Sequence, residues 1–156
     1  MTRLQLSLIA AAGSLLLLAG AFGFQLIGYL PCKMCLWQRW PHAAAVLIGL
    51  AMLIVPGRIW PWLGALATAV TAGIGIFHTG VERDWWEGPT SCTSSGTGLG
   101  DLGGADLLST DGPGIVLCDQ VSWAFAGLSM ASWNAIFSLV LMLIWLRAAR
   151  AAPAMR

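Results

Sequence analysis

Charged residues divide this chain into long apolar runs. Four stretches contain no Asp, Glu, Lys or Arg, namely Leu4–Cys32, Trp40–Gly57, Ile59–Val81 and Gln120–Leu146. Each is close to or longer than the roughly 20 residues that a helix needs to cross the hydrocarbon core of a bilayer. The pattern therefore predicts four transmembrane helices, at residues 6–28, 37–55, 60–80 and 129–147.

Composition also indicates a lipid environment. Hydrophobic residues make up 58% of the 156 residues and charged residues 10%, whereas soluble domains carry about 25% charged residues. Backbone N–H and C=O groups in lipid must find partners within the protein, and four short spans cannot close a barrel. We therefore expect an all-α membrane protein. Its single domain, residues 1–156, would be a four-helix transmembrane bundle with one long outward loop over residues 81–128.

Basic residues near the span ends predict the orientation. One side of the predicted bundle carries Arg3, Arg58, Arg147, Arg150 and Arg156, and the other carries Lys33, Arg39 and Arg83. Both termini are therefore expected in the cytoplasm, with the 81–128 loop outside. An alternative for the first run is a cleaved signal peptide with small residues at 19–21. Cleavage would leave three spans and the same outward side.

The outward loop has an unusual composition. It contains all seven acidic residues of the chain and many Gly, Ser, Thr and Pro residues, which predicts irregular backbone. The nine tryptophans fall near the predicted span ends. We interpret them, Trp145 included, as anchors at the membrane interfaces.

The four cysteines all lie on the predicted outward side, at Cys32, Cys35, Cys92 and Cys118. In an oxidising compartment they indicate disulfides, and the spacing suggests Cys32 with Cys35 and Cys92 with Cys118. A structural bridge suits the second pair, which closes a long loop, but a bridge between Cys32 and Cys35 restrains little chain. A zinc site of four thiolates is a second alternative. A redox relay is the third.

Residues around the first pair favour the relay. Pro31 is a plausible helix entry, and a helix N-terminus stabilises a thiolate at Cys32. Arg39 follows Cys35 by four residues and shares its predicted helical face just inside the membrane. An ionisable side chain at that depth is costly and usually functional, although Arg39 could also extend to the lipid headgroups.

These residues together resemble the DsbB family of disulfide bond formation proteins. The shared features are PCKMC followed by QR within residues 31–39, the four-span pattern, the outer pair Cys92 and Cys118, and the run CDQVSWAFAGLSM that ends at Met130. The Gly-rich, acidic middle of the loop departs from better-known members.

The resemblance implies an enzyme, a protein-dithiol:quinone oxidoreductase of the bacterial inner membrane. It would reoxidise a periplasmic, thioredoxin-fold protein of the DsbA kind, which would dock on the 81–128 loop. By position, the partner's thiolate would attack Cys92, and Cys118 would then attack Cys32. Cys35 would be left as the thiolate that donates to a quinone.

The resemblance also implies how the quinone, ubiquinone or menaquinone, would be held. Arg39 would lie near a quinone oxygen, with His78 and Met130 beside the ring, and no metal or nucleic acid is expected. The alternatives are an interface hydrogen bond for His78 and ordinary apolar packing for Met130. Two other functions stay open: a DsbB-like protein for a dedicated substrate, and a non-catalytic four-span protein with two structural disulfides.

Overall fold

Four helices dominate the computed structural model, which describes residues 1–89 and 117–152. They are α1 (Arg3–Leu26), α2 (Lys33–Ile54), α3 (Trp60–Glu82) and α4 (Met130–Arg150). Their bounds agree with the four predicted helices to within a few residues at each end. Most of the predicted 81–128 loop, Cys92 included, lies outside the described residues.

A small hairpin precedes α4 and adds two short strands to the predicted all-helical fold. Strand β1 (Ala124–Phe125) pairs antiparallel with β2 (Leu128–Ser129). The two residues between them, Ala126 and Gly127, have φ angles of 51° and 76°. Positive φ at both central residues is the geometry of the tight turn that matches the twist of paired strands.

Side chains cap the starts of three helices. Thr2 and Gln5 form a reciprocal capping box at α1, in which each side chain accepts a hydrogen bond from the other residue's backbone N–H. Cys32 caps α2, and Ser129 caps α4 by accepting from the backbone N–H of Ser132 at 3.2 Å. These contacts satisfy N–H groups that have no partner inside the helix.

The helices form a bundle in which α1 and α3 each pack against both α2 and α4. Consequently α2 and α4 face each other across the bundle. The backbone N–H of Arg3 donates to the carbonyl of Ala152 at 3.2 Å, which joins the start of α1 to the end of α4. Helix α1, which could also be a signal peptide from its composition, is therefore packed as part of the bundle.

Small residues allow close approach between the helices. A Cβ atom on Gly64 would collide with the indole of Trp145, and one on Gly75 would lie 3.1 Å from the Cβ of Ala135. Trp145 is fully buried, so its interpretation as an interface anchor is wrong. The indole instead fills the space that Gly64 leaves between α3 and α4.

Three helices, α1, α3 and α4, are long and apolar enough to cross a membrane. Helix α2 is not among them, because its first half carries polar side chains that lower the mean hydropathy. The bundle exterior is strongly apolar, with Leu16, Leu26 and Ile54 more than two-thirds exposed. Such a surface is suited to lipid rather than water, and the chain is a multi-pass membrane protein.

Candidate functional site

Cys32 and Cys35 lie together at the N-terminus of α2. The Sγ atom of Cys32 accepts a hydrogen bond from the backbone N–H of Cys35 at 3.2 Å, which is the capping contact of the helix. The two Sγ atoms are 2.7 Å apart. Because one turn of helix holds both thiols together, the pair can form or open a disulfide with little backbone movement.

Cys118 joins this pair from the segment before the hairpin. It is fully buried and packs in one cluster with Cys32, Met34 and Val81, against which Cys35 also lies. The structure thus brings together three of the four cysteines predicted as site residues. Cys92 lies outside the described residues.

His78 approaches the same sulfur atoms from α3. Its Nε2 atom lies 3.6 Å from the Sγ atom of Cys32, and its Nδ1 atom lies 3.0 Å from the amide nitrogen of Gln38. The ring is also hydrogen-bonded with the backbone of Cys118. His78 is 2% exposed, so it lies inside the bundle beside the cysteines rather than at a lipid interface.

Glu82 lies one turn beyond His78 on α3 and was not predicted as a site residue. Its Oε1 atom is 3.8 Å from the Nε2 atom of His78, and its Oε2 atom accepts a hydrogen bond from the hydroxyl of Ser129. The side chain is 6% exposed. The His-x-x-x-Glu spacing places both residues on one helical face, and this is the sequence signal that could have identified Glu82.

Arg39 is held by α1. Its guanidinium donates to the side-chain oxygen of Gln25 at 2.8 Å and to the backbone oxygen of Ala21 at 3.3 Å. It also lies 4.8 Å from the ring centroid of Phe22. The side chain is therefore fixed across the α1–α2 interface, and Gln25 is a positioning group that sequence reasoning did not find.

One cavity of about 410 Å³ joins these groups. Its lining includes five of the predicted site residues, Cys32, Cys35, Arg39, His78 and Met130. Aromatic side chains form much of the remaining wall: Phe24, Tyr29, Trp123, Phe125, Trp133 and Phe137. The volume lies within the range of about 300–1,000 Å³ that is usual for small-molecule sites.

The family model for "Disulfide bond formation protein DsbB" matches residues 3–148. The chain belongs to the DsbB family. A disulfide bond formation protein B of Verminephrobacter eiseniae is 33% identical over 94% of this chain and 88% of its own length. No solved structure matches the chain.

Two further relatives carry the same description. The protein of an Acidovorax species is 31% identical over 95% of this chain and 90% of its own length. That of Xanthomonas oryzae pv. oryzae is 32% identical over 85% of this chain and 80% of its own length. The family resemblance predicted from PCKMC and QR is therefore confirmed, and the chain is a disulfide bond formation protein with oxidoreductase chemistry.

Electrostatics at the DsbB-family cysteine pair divide the roles of the two thiols. The side-chain hydrogen bond with Cys35, followed by burial and the nearby charge of Cys35, raises the pKa of the Cys32 thiol. The backbone N–H of Cys35 acts in the opposite direction, as a helix N-terminus should. The raising effects are larger, so the reduced pair keeps a proton on Cys32.

The same atoms could hold a soft metal ion. One ligand atom from each of Cys32, Cys35 and His78 lies within 4.8 Å of the other two. In a tetrahedral zinc site, bonds of about 2.3 Å to sulfur and 2.0–2.1 Å to nitrogen put these atoms about 3.5 Å apart. The 3.6 Å between Cys32 Sγ and His78 Nε2 is close to that spacing, whereas the two Sγ atoms, 2.7 Å apart, would have to separate to about 3.8 Å.

A polar network extends from His78 into the centre of the bundle. It consists of buried or half-buried side chains on three helices: Gln38, His42, Thr71, Asn134 and Ser138. Sequence analysis gave none of them a role. The signal was their presence inside predicted spans, where polar side chains are costly unless they find partners.

Proposed function

We propose that this DsbB-family protein oxidises the dithiol of a periplasmic, thioredoxin-fold partner of the DsbA kind and reduces a membrane quinone. The observation that carries the proposal is the convergence of Cys32, Cys35, His78 and Arg39 on one apolar cavity. A structural disulfide does not need a cavity beside it. An electron acceptor that dissolves in the membrane does.

Two thiol–disulfide exchanges with the partner come before electrons reach the Cys32–Cys35 pair at the cavity. The partner's thiolate attacks Cys92 of a Cys92–Cys118 disulfide, forming a mixed disulfide and releasing Cys118 as a thiolate. The partner's second thiol then closes its own disulfide, and Cys92 leaves with two electrons retained on the outer pair. Each exchange breaks one S–S bond and forms another, so the electron count is balanced.

Transfer to the inner pair follows the same chemistry. A thiolate of the reduced outer pair attacks the Cys32–Cys35 disulfide at Cys32, and Cys35 leaves as a thiolate. The burial of Cys118 against Cys32 supports this order, because the attacking and attacked residues are already in contact. The outer pair returns to a disulfide, and the two electrons reside on Cys32 and Cys35.

The volume and the lining of the cavity support quinone binding. The aromatic wall offers flat ring surfaces for stacking. Arg39 would supply a fixed positive charge next to a quinone oxygen as that oxygen gains negative charge. A quinone held there would accept two electrons and two protons, and Cys32 and Cys35 would return to a disulfide. Cys35 would face it, with Arg39, His78 and Met130 holding it.

We propose the matching membrane placement. Helix α2 also crosses the membrane, in addition to α1, α3 and α4. Its mean hydropathy is lower because it carries polar side chains that are buried inside the bundle. Both termini lie in the cytoplasm, and the cysteines face the periplasm of a bacterial inner membrane. The arginine distribution supports this orientation, as does the oxidising chemistry expected of that compartment.

The test is quinol formation by the purified protein in detergent, with a soluble ubiquinone and a reduced DsbA-like protein. We expect one quinol for each partner disulfide formed, and loss of quinol formation in Cys35→Ser. If the disulfides are intact and the partner is active but no quinol forms, the non-catalytic four-span alternative would replace the proposal.

A further inference from the structure

A directional chain of hydrogen bonds leads to His78 from the opposite side of the bundle. The amide N–H of Asn134 on α4 donates to the side-chain oxygen of Gln38 on α2 at 2.7 Å. The amide nitrogen of Gln38 then faces the Nδ1 atom of His78 on α3 at 3.0 Å. Because an amide carries donors on one atom and acceptors on the other, the orientation of Asn134 determines that of Gln38.

Thr71 determines the orientation of Asn134. Its hydroxyl donates to the backbone carbonyl of Gln38 at 3.1 Å, which uses its one proton. Its oxygen also lies 3.2 Å from the amide nitrogen of Asn134, and it can only accept there. The atom of Asn134 that faces Thr71 and Gln38 must therefore be the NH₂ group, whose two protons serve these two oxygens.

The consequence reaches His78 through Gln38. With its oxygen committed to Asn134, Gln38 presents its NH₂ group to His78, so Nδ1 of the neutral ring must be the acceptor. The ring proton is then on Nε2. That nitrogen lies 3.6 Å from the Sγ atom of Cys32 and 3.8 Å from the Oε1 atom of Glu82, and the ring is also hydrogen-bonded with the backbone of Cys118.

The contacts of His42, at the other end of this chain of hydrogen bonds, require the same direction. The side-chain oxygen of Asn134 lies 3.0 Å from the Nε2 atom of His42, so that nitrogen is the donor. The Nδ1 atom of His42 is buried and has no hydrogen-bond partner within residues 1–89 and 117–152. If every hydrogen bond in this network ran in the opposite direction, Nδ1 of His42 would carry an unsatisfied N–H. An unprotonated Nε2 of His78 would then face the carboxylate of Glu82. Both features disfavour reversal.

We propose that Thr71 is a positioning residue that, through Asn134 and Gln38, holds His78 as an Nε2–H donor toward Cys32. His78 then stabilises negative charge on the Cys32 sulfur and cannot accept its proton at that nitrogen. The assignment of hydrogen positions stands by itself. Its importance for turnover rests on the proposed function, in which Cys32 is the sulfur attacked and released.

Nitrogen-15 NMR of the histidine-labelled protein in detergent tests the tautomer directly, and the chain has only two histidines. We expect both neutral rings to carry the proton on Nε2. A His78 ring protonated on Nδ1 instead would overturn the proposal without any variant being needed. A His78→Gln spectrum identifies which signal belongs to which ring.

Variants then test the role of Thr71. Thr71→Val removes the hydroxyl oxygen that accepts from the NH₂ group of Asn134, and we expect a second His78 signal with the proton on Nδ1. Thr71→Ser keeps the hydroxyl and should keep the single tautomer. Gln38→Glu places an acceptor opposite Nδ1 and should move a proton there. An unchanged His78 signal in both Thr71→Val and Gln38→Glu would refute the proposed direction.

Thr68→Val is the matched control. Thr68 is also fully buried on α3, but its hydroxyl donates to carbonyls of its own helix, Gly64 and Ala65. We expect Thr68→Val to leave the His78 tautomer unchanged. In quinol formation, Thr71→Val should be slower by about tenfold, the effect of one hydrogen bond to a charged acceptor, and Thr68→Val should not. Absence of quinol in the unaltered protein would contradict the proposed function and leave the tautomer test intact.

Discussion

The Nε2 atom of His78 lies 3.6 Å from the Sγ atom of Cys32, although 46 positions separate them in the chain. One residue comes from the last turn but one of α3 and the other from the cap of α2. This contact connects the buried polar network to the disulfide-forming pair. It also places an imidazole where it can interact with whichever form of the sulfur is present.

Zinc binding should depend on that contact. In a background of Cys92→Ala and Cys118→Ala, Zn²⁺ can bind Nε2 of His78 beside the two thiolates only if the ring proton moves to Nδ1, which faces the amide N–H of Gln38. We therefore expect weak binding by the reduced protein, and binding about tenfold tighter in Gln38→Glu, whose carboxylate accepts that proton. Competition with a chromogenic chelator in detergent measures the affinity. In the Gln38→Glu variant, His78→Ala should weaken binding by about tenfold or more, because one of three protein ligands is lost. The oxidised protein, which has no thiolate to offer, is the matched control. Equal binding by the oxidised form would place the ion elsewhere.

The pH dependence of Cys32 should change when Cys35 is replaced. In the reduced pair the hydrogen bond with Cys35 is the largest cause of the raised pKa of Cys32. A raised thiol pKa keeps the proton on sulfur to higher pH, so Cys35→Ala should move thiolate formation to lower pH. Alkylation rate against pH, in the same Cys92→Ala and Cys118→Ala background, measures this. A shift to higher pH would show that Cys35 instead stabilises the Cys32 thiolate.

Arg39 should matter for quinone reduction more than for thiol exchange. Arg39→Ala removes the fixed charge in the cavity, and we expect quinol formation to fall by about 100-fold while disulfide exchange with the partner changes little. Gln25→Ala releases one of the groups that hold the guanidinium and should give a smaller loss. Arg58→Ala is the control, because that arginine is exposed between α2 and α3. Equal loss of both activities in Arg39→Ala would assign Arg39 a structural role.

Packing between α3 and α4 should be sensitive to a single methyl group. Gly64→Ala would drive a Cβ atom into the indole of Trp145, and overpacking of this kind costs about 1–3 kcal/mol. The Cβ atom of Gly73→Ala, on the same helix, meets no described residue within 4 Å, so this change should be neutral or slightly stabilising. Thermal unfolding in detergent, followed by helical circular dichroism, compares the two. Equal melting temperatures would mean that Trp145 can move aside.

The sequence predicts the helices well because charges end the apolar runs. Arg58 separates the second run from the third, and Lys33 and Arg39 interrupt the chain between the first two. The hairpin was not predicted, since each strand has only two residues and its turn contains an alanine at positive φ. Trp145 was misassigned because position near a span end does not reveal which way a side chain faces.

Prediction of the site had a different limit. Cys32, Cys35 and Arg39 are close in the chain, so helical spacing indicates that they act together. His78 and Met130 came from the family resemblance. Thr71, Asn134 and Gln38 acquire their roles only when three helices meet, and hydrogen-bond direction depends on every partner in the chain. A single sequence shows that such residues are polar and within predicted spans, but not which atoms they present to one another.

Helix α1 is both a membrane-spanning segment and one wall of the cavity beside the cysteines. Ala21 and Gln25 hold Arg39, and the Phe24 ring contacts that of Trp123 at a tilted angle, with 5.0 Å between the ring centroids. Replacing this helix with an unrelated membrane anchor would therefore preserve insertion of the protein into the bilayer but destroy the cavity. Selection for entry into the bilayer and selection for the chemistry act on the same residues, so neither property of α1 can change freely without the other.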